Sequence, residues 1–341
     1  MRGVHNIWRL IRTGATFERT GAMRQVLEAV EAPRGVRIVA RVLGYPFKLL
    51  GYTGDPSMPP VPRALTALGP AYIKFGQILS TRPDVVGSEL AQQLRVLQDK
   101  LPPFSVEIAK KTIEAELERP IGDMFSEFSE PIAAASLAQV HKARLEATGE
   151  WVAVKVLRPG IERSFIRDVD AFYLAANMVE IFAPFARRLR PMDVIRHFEG
   201  VVRGELDLRL ESASASEFAA NTEKDDGFHV PNVRWSYSAK RVMTLDWVEG
   251  IPLGDNDALD DAGFDRERLG EKVLQSFLTH ALRDGYFHAD MHQGNLRVGT
   301  AGEVIALDFG IMGYIDEYTR RVYAEILFGF IRRDYHRVAQ V

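Results

Sequence analysis

The fold is decided by the stretch His288-Ala289-Asp290-Met291-His292-Gln293-Gly294-Asn295 and by the tripeptide Asp308-Phe309-Gly310, which follows it. An aspartate, an asparagine five residues later and a second aspartate supply one carboxylate that can face an acceptor and two oxygen ligands suited to magnesium. The tripeptide alone is weak evidence, because Asp-Phe-Gly is an ordinary strand-to-turn sequence. At this spacing, the two stretches indicate phosphoryl transfer. Asp290 is the candidate catalytic carboxylate, and Asn295 and Asp308 are the candidate metal ligands.

These stretches resemble the catalytic loop of protein kinases, His-Arg-Asp-x-x-x-x-Asn, and the metal-binding tripeptide that follows it. Phosphoryl transfer also needs a lysine on a strand, which contacts the phosphates of ATP. Lys155 fits this role, because it lies in the second of two predicted strands, at residues 137–145 and 151–157. In isolation Lys155 would be taken for an exposed strand lysine. We therefore expect ATP and Mg²⁺ as cofactors.

Zinc is a weaker interpretation of the same loop. His288 and His292 have the i, i+4 spacing of a zinc-binding pair, but no third imidazole stands near them in sequence to complete the site. We expect His288 to brace the loop instead.

The glycine-rich phosphate loop of protein kinases is missing. Its position, before the strand at residues 137–145, holds Ala133, Ala134, Ala135 and Ser136. Alanine permits fewer backbone conformations than glycine, so we expect the nucleotide to bind in a different pose. A tight helix start is the alternative interpretation. Three residues at the end of another predicted strand complete the candidate nucleotide-binding set: Asp246, Trp247 and Val248.

A further motif, Lys74-Phe75-Gly76-Gln77, lies in a predicted helix that begins at Gly69-Pro70 and ends before Pro83. Lys74 and Gln77 are three residues apart and share one face of an otherwise apolar helix. In isolation this pair would be assigned to solvent.

Together these residues resemble the UbiB family of atypical kinases, over about residues 65–330. The signatures that carry the resemblance are Lys74-Phe75-Gly76-Gln77, the Ala133–Ser136 loop, Lys155, Glu205-Leu206-Asp207 with Glu211, the Asp290/Asn295 loop and Asp308. The loop departs from the usual family pattern, because Met291 and Gln293 replace two prolines. The resemblance implies ATP binding, weak ATPase-like activity, membrane association and support of ubiquinone biosynthesis. It also implies that the helical extension folds over the active site and blocks polypeptide substrates.

The resemblance draws attention to three carboxylates, Glu205, Asp207 and Glu211. At about 100° per residue, Asp207 and Glu211 share a helix face, whereas Glu205 points about 160° away from Asp207. One straight helix therefore cannot aim all three at one target. We favour Glu211 as the partner of Lys155, and Glu205 or Asp207 as the partner of Lys74 and Gln77. Solvated helix carboxylates are the alternative.

The charge is uneven along the 341 residues. Residues 1–54 hold nine Arg or Lys against three Glu, although the formal net charge of the chain is −3. Residues 1–12 interleave basic and apolar side chains, which fits either a short segment at a membrane interface or a solvated basic arm. The longest apolar stretch, residues 171–186, is too short to span a bilayer and contains a glutamate and a proline. The absence of cysteine excludes disulfides and thiolate chemistry.

We expect an α+β, bilobal protein-kinase-like fold with a helical N-terminal extension packed over the active site. The expected segments are a basic arm (1–54), a helical extension (55–125), an N-lobe (126–250) whose strands start near Pro131, and a C-lobe (251–341) that ends inside a helical pattern. Other strands are expected at residues 231–237 and 241–247. Membrane segments beyond Val341 remain compatible with this pattern.

The function that follows is an ATP- and Mg²⁺-dependent phosphotransferase or ATPase. Its expected partners are an anionic membrane surface, on the cytoplasmic face of a bacterial inner membrane, and quinone-precursor lipids or enzymes of ubiquinone biosynthesis, without nucleic acid. Two alternatives stay open. One is a nucleotide-gated pseudokinase that binds lipids or partners, and the other is a small-molecule kinase of the aminoglycoside or choline type.

Overall fold

The computed structural model describes residues 2–29, 32–98, 103–182 and 184–341. Its helices are α1 (Arg2–Thr20), α2 (Ala22–Ala29), α3 (Arg34–Gly44), α4 (Pro60–Leu68), α5 (Pro70–Ser80), α6 (Pro83–Val86), α7 (Ser88–Leu94), α8 (Val106–Leu117), α9 (Ile161–Phe182), α10 (Pro191–Glu205), α11 (Leu208–Thr222), α12 (Asn256–Asp261), α13 (Arg266–Thr279), α14 (Glu317–Arg332) and α15 (Tyr335–Val338). Its strands are β1 (Phe125–Ala134), β2 (Ala138–Leu145), β3 (Trp151–Leu157), β4 (Phe228–His229), β5 (Val242–Asp246), β6 (Ile251–Pro252), β7 (Tyr286–His288), β8 (Leu296–Val298), β9 (Val304–Ala306) and β10 (Met312–Tyr314).

Helix boundaries follow simple local chemistry. Four helices, α4, α5, α6 and α10, carry proline in the first turn, where its fixed φ suits the helix and its missing N–H costs nothing. An aspartate side chain caps each of five other helices, α11 to α15, by accepting a backbone N–H of the first turn. Within the described ranges, no helix is both long and apolar enough to cross a membrane.

The chain folds as two compact units. The first unit comprises Met1–Ala109, Pro131–Val140 and Val156–Leu206. The second comprises Lys110–Glu130, His141–Lys155 and Asp207–Val341.

The first unit is helical, and its N-terminal helix is part of its packing. Arg9 of α1 forms an ion pair with Asp168 of α9, whose side chain is buried. The Thr13 hydroxyl lies 2.6 Å from the Tyr72 hydroxyl of α5, and the Tyr72 ring meets Phe172 edge-on at 4.7 Å between centroids. The interpretation of residues 1–12 as a solvated basic arm is therefore wrong, because their helix is held by specific contacts.

The second unit contains two small sheets that matter for the site. In one sheet β7 pairs antiparallel with β10. In the other, the strand order is β4-β9-β8-β6, and β8 and β9 form an antiparallel pair. A third sheet has the order β1-β2-β3-β5. The strands expected at residues 137–145 and 151–157 are confirmed, while β1 begins at Phe125 and not near Pro131.

The strand expected at residues 231–237 is wrong. The chain there makes an isolated bridge from Val233 to Leu245 and then a short 3-10 helix, Trp235–Tyr237. The Ser238 hydroxyl accepts the Thr244 N–H at 2.9 Å and donates to the Arg234 carbonyl at 3.0 Å. A serine side chain thus takes the place of a backbone partner, which stops the ladder.

Gly76 permits the close packing of α5. A Cβ placed on Gly76 would come within 2.4 Å of Leu97 Cδ1 and 2.7 Å of Leu65 Cδ1, and both leucines are buried. The glycine of the Lys-x-Gly-Gln motif therefore has a packing reason that needs no ligand.

We expect Gly76→Ala to lower the free energy of unfolding by about 1–3 kcal/mol, because an extra methyl group overfills a buried contact. Gly200→Ala is the matched control. Gly200 lies inside α10 with open space around its Cα, so alanine should stabilise the protein by up to about 1 kcal/mol. Urea unfolding of both variants measures the two effects, and a stabilised Gly76→Ala would contradict the packing account.

Candidate active site

Two strand pairings of the second unit bring the catalytic loop and the Asp-Phe-Gly tripeptide together. His288 at the end of β7 pairs with Met312 of β10, and the Ala289 N–H donates to the Ile311 carbonyl at 3.0 Å. On the other side, β8 follows Asn295 and pairs with β9, which precedes Asp308. The Leu307 N–H donates to the Asn295 carbonyl at 3.0 Å. Backbone hydrogen bonds therefore hold both ends of the loop beside the tripeptide.

The loop itself is braced by its own side chains. Asn295 Nδ2 donates to the Asp290 carbonyl at 3.0 Å and to Asp290 Oδ2 at 3.2 Å. His288 Nδ1 accepts the Asp290 N–H at 3.1 Å, as expected of a bracing histidine. Burial lowers the pKa of His288, which keeps the ring neutral and able to accept this bond. Asp290 remains partly exposed, so its carboxylate can face a substrate.

Lys155 of β3 has two carboxylate neighbours. Its Nζ lies 2.6 Å from Glu211 Oε1 and 2.8 Å from Oε2, and 3.7 Å from Asp308 Oδ2. The favoured pairing of Lys155 with Glu211 is confirmed as a contact. The ammonium therefore stands between the helical carboxylate and the candidate metal ligand, the position from which it can approach phosphate oxygens.

Burial is the largest influence on Glu211. It raises the pKa of this carboxyl group, Lys155 opposes the shift, and the nearby Asp308 adds to it. The ammonium group of Lys155 therefore offsets part of the free-energy cost of burying the charged Glu211 carboxylate.

Phe309 anchors the tripeptide in the core. It is 1% exposed, and its ring lies 6.3 Å from Phe218 of α11 and 6.0 Å from His288. Because Phe218 follows Glu211 by two helical turns, one helix face supplies both the partner of Lys155 and the support of Phe309. The sequence analysis did not single out Phe218, although its helical spacing from Glu211 was a usable signal.

The donor atoms fit magnesium held jointly by protein and phosphate. Asn295 uses its amide nitrogen within the loop, which leaves its oxygen as the side-chain atom able to bind a cation. Asp308 is about half exposed and accepts the Gly310 N–H through Oδ1. Magnesium usually takes one or two protein oxygens and keeps water and phosphate oxygens. Among the residues that the structure describes, no group of three His, Cys, Asp or Glu side chains is placed to hold a metal by itself.

The candidate hinge residues are engaged within the protein. Asp246 accepts from Arg234 and, at 3.1 Å, from Asn232 Nδ2. The backbone N–H of Trp247 donates to the Trp151 carbonyl at 3.0 Å. Val248, the next residue, lies outside the strand. Lys142 Nζ lies 4.3 Å from the centre of the Trp247 ring, a cation–π distance. The roles of Asp246, Trp247 and Val248 in nucleotide binding stay predictions.

The alanine loop lies in the first unit. Ala133 and Ala134 end β1, and Ala135 and Ser136 form the turn before β2, so a helix start is not what forms there. The Ala135 N–H donates to the Ala138 carbonyl at 2.8 Å. The Ala135 carbonyl accepts from the Arg158 guanidinium at 3.1 Å. No sequence signal indicated this arginine, which holds the loop from the far end of β3.

The Lys-x-Gly-Gln motif is also in the first unit. Lys74 Nζ lies 2.5 Å from Glu205 Oε1, with both side chains about one-fifth exposed. Gln77 Nε2 donates to the Leu97 carbonyl at 2.6 Å, so its partner is a backbone group and not a carboxylate. The expectation that this pair faces solvent when taken alone is wrong for both residues.

Asp207 has a structural partner and was wrongly grouped with Glu205. It lies in an extended conformation and caps α11 through the Arg209 N–H, and its carboxylate also accepts from the Arg209 guanidinium at 2.6 Å. These hydrogen bonds lower the pKa of Asp207. The helix expected to run through residues 205–211 is thus broken between α10 and α11, which removes the geometric conflict among the three carboxylates.

A strand lysine held by a helical glutamate beside an Asp-Phe-Gly tripeptide is the arrangement with which kinases bind nucleotide phosphates, and it defines a kinase-like protein. Residues 96–341 match the ABC1 atypical kinase-like domain. The chain belongs to this family, and the resemblance to UbiB proteins is confirmed.

Proteins of similar sequence and structure support this assignment. The chain is 42% identical to "Probable protein kinase UbiB" of Marinobacter nauticus over 283 residues, which are 82% of this chain and 52% of that protein. The identity to the protein of the same name from Shewanella sp. is 41%, with the same coverage. This chain thus spans about half the length of these curated relatives. A solved complex of Rv3197 with erythromycin from Mycobacterium tuberculosis has a TM-score of 0.55 and 26% identity, covering 78% of this chain and 66% of that one. The kinase-like α+β fold with a helical N-terminal region is confirmed.

We expect Lys155→Met to make stability depend on pH. Without the ammonium, the pKa of buried Glu211 rises further above its unfolded value. The contribution of Glu211 to the stability of the variant is then fully present below about pH 4.3 and is lost as pH rises toward the folded pKa, by about 1.4 kcal/mol per unit of additional shift. Urea unfolding at pH 5 and pH 8 measures the difference relative to the parent protein.

The double variant Lys155→Met/Glu211→Gln is the control, because it has no carboxylate to bury at this site. It should recover a pH dependence no steeper than that of the parent protein. Equal pH dependence of Lys155→Met and the parent protein would show that Glu211 does not rely on Lys155.

Proposed function

We propose that this protein is an ATP- and Mg²⁺-dependent phosphotransferase or ATPase. The observation that carries the proposal is the position of Lys155, which contacts Glu211 and stands 3.7 Å from Asp308. A structural ion pair alone would need no second carboxylate at that distance. The Asp308 and Glu211 carboxylates repel each other, and a cation bound with phosphates at this site would offset that repulsion.

Each residue then has a distinct task. Lys155 neutralises phosphate charge, and Glu211 orients Lys155. Asn295 and Asp308 would hold magnesium, which would offset negative charge on the phosphates. Asp290 would face the acceptor, a hydroxyl group or water, and accept its proton as the acceptor oxygen bonds to the terminal phosphorus and the bond from that phosphorus to ADP breaks, so that ADP leaves. Asn295 Nδ2 keeps Asp290 oriented by its bond to Oδ2, which leaves Oδ1 for the acceptor.

The names of the relatives support a biological setting. Because the curated relatives are named as probable UbiB kinases, we propose that the activity supports ubiquinone biosynthesis at a membrane, with quinone-precursor lipids or biosynthetic enzymes as partners. The intact Lys155–Glu211 pair and the braced Asp290–Asn295 loop favour turnover over a purely nucleotide-binding pseudokinase.

Asp308→Asn should abolish most of the stabilisation that Mg²⁺ and ATP give the protein, because a neutral amide leaves the cation and phosphates under-compensated. Thermal unfolding with and without Mg²⁺–ATP measures the loss, and ADP release measures turnover. Asp265→Asn is the matched control, since Asp265 caps α13 and asparagine caps as well. Equal nucleotide stabilisation of Asp308→Asn and the parent protein would refute the metal assignment.

The N-terminal part of the first unit also carries a surface suited to an anionic membrane. The segment formed by α3 and the 3-10 helix Tyr45–Leu50 exposes large apolar side chains, among them Ile38 (64%), Val42 (65%) and Leu49 (84%). Arg34 and Lys48 lie in the same segment. Apolar groups that enter the interface and cations that attract acidic headgroups reinforce each other.

Ile38→Ser/Leu49→Ser should weaken binding to phosphatidylglycerol vesicles about tenfold, and added salt should weaken binding of the parent protein, because charges are screened within about 10 Å at 0.1 M salt. Vesicle sedimentation measures both effects. Ile166→Ser is the control, since Ile166 is similarly exposed on α9 outside this segment. Loss of binding in the control, or salt-independent binding, would contradict the proposed membrane surface.

A further inference from the structure

The first unit contains a cavity of about 380 Å³ whose walls are almost wholly apolar. Helices α1, α2, α4, α5, α6, α7, α9 and α10 contribute to the lining. One wall is aromatic, because Phe172 of α9 lies 4.7 Å from Tyr72 and 5.4 Å from Phe75 between ring centroids. Val179, one of the lining residues, is 37% exposed, so this part of the lining adjoins solvent.

The polar groups on the wall are already used. Thr13 and Tyr72 are among the lining residues, and their hydroxyls lie 2.6 Å apart, so they hydrogen-bond to each other. Burial raises the pKa of Tyr72, which keeps its hydroxyl protonated. A buried water needs about two to four polar partners. This cavity therefore suits neither ordered water nor a charged group.

The volume selects the kind of occupant. An apolar cavity of about 150 Å³ in another protein stays dry and binds benzene, so a much larger one can hold a longer apolar group. A single turn of a partner helix, about 10–12 Å across and about 5.4 Å long, encloses roughly 400 Å³ or more, which exceeds the volume of this cavity. At roughly 30 Å³ for each water-sized group, the cavity holds about a dozen methylene-sized groups.

We propose that this cavity binds the hydrocarbon chain of a small amphiphile, whose polar end stays at the surface near Val179. The binding gains its free energy from apolar area removed from water and from filling a void that otherwise lacks packing contacts. It requires no nucleotide and is independent of the activity proposed above.

The site is connected to the Lys74–Glu205 ion pair through two helices. Phe75, which lies inside the motif next to Lys74, and Leu79, two residues after Gln77, line the cavity from α5. Val194 and Ile195 of α10 line it as well, and the same helix ends at Glu205. An occupant that packs against both helices restrains both partners of the ion pair, so the backbone amides of α5 and α10 should exchange more slowly with solvent.

The test uses the full chain without nucleotide and 1-decanol as the probe, added below its solubility limit. Calorimetry should detect binding, and the unfolding temperature should rise with decanol concentration, because the ligand stabilises the folded state that binds it. Ala176→Phe and Val194→Phe each place a larger side chain in the cavity. Each should weaken decanol binding at least about tenfold, equivalent to about 1.4 kcal/mol.

Met178→Phe is the matched control, because Met178 is exposed on the same helix as Ala176 and does not line the cavity. Its decanol affinity should stay within about twofold of the parent value. Hydrogen exchange in α5 and α10 should slow on decanol addition in the parent protein and not in the filled variants.

Two results would overturn the proposal. One is the absence of decanol binding by the parent protein. The other is parent-like binding by either filled variant that folds. Since ADP release is measured separately, failure of the phosphotransferase proposal leaves this test unaffected, and failure here leaves that proposal standing.

Discussion

The contact between Lys155 and Glu211 is the interaction on which the site depends. Glu211 is buried, and a buried carboxylate needs a cation beside it. The pair ties β3 to α11, and α11 also carries Phe218, which packs near Phe309. One charge pair therefore links the strand lysine, the supporting helix and the tripeptide that contains Asp308. Glu211 holds the Lys155 ammonium in place, and the same ammonium lies beside the half-exposed carboxylate of Asp308.

Backbone pairing does most of the positioning, which leaves the reactive side chains available. The β7–β10 and β8–β9 pairs hold both ends of the catalytic loop beside the tripeptide. Asn295 donates a hydrogen bond to Asp290 through its amide nitrogen, which leaves its amide oxygen available to a cation. The protein thus offers two oxygen donors, a set that phosphate and water oxygens would have to complete for magnesium. Under the function proposed above, such a site would bind the metal strongly only together with a nucleotide.

The first unit combines one ion pair with an apolar cavity on the same helices. Lys74 and Glu205 pair on two helices whose other faces line a hydrocarbon-like cavity. Gly76 lets α5 approach its neighbours closely. Phe75 adjoins Lys74 on α5, and Ile195 precedes Glu205 on α10 by about three helical turns, so each partner of the ion pair shares a helix with residues that line the cavity. This unit is therefore suited to sense a ligand as well as to support the chain.

The sequence by itself determined the kinase-like class and the loop residues Asp290, Asn295 and Asp308. These features depend on local spacing, which residue order encodes directly. For Lys155 the sequence only favoured Glu211 among three carboxylates, and the tertiary structure decided that pairing. Only the tertiary structure decided the role of Asp207, because the helix breaks between α10 and α11 and Asp207 caps the start of α11. It also decided that Gln77 binds a distant carbonyl, that Arg158 holds the alanine loop, and that α1 packs against α9 through Arg9 and Asp168. These contacts join residues far apart in sequence, where no periodicity specifies a partner and only the packed chain does.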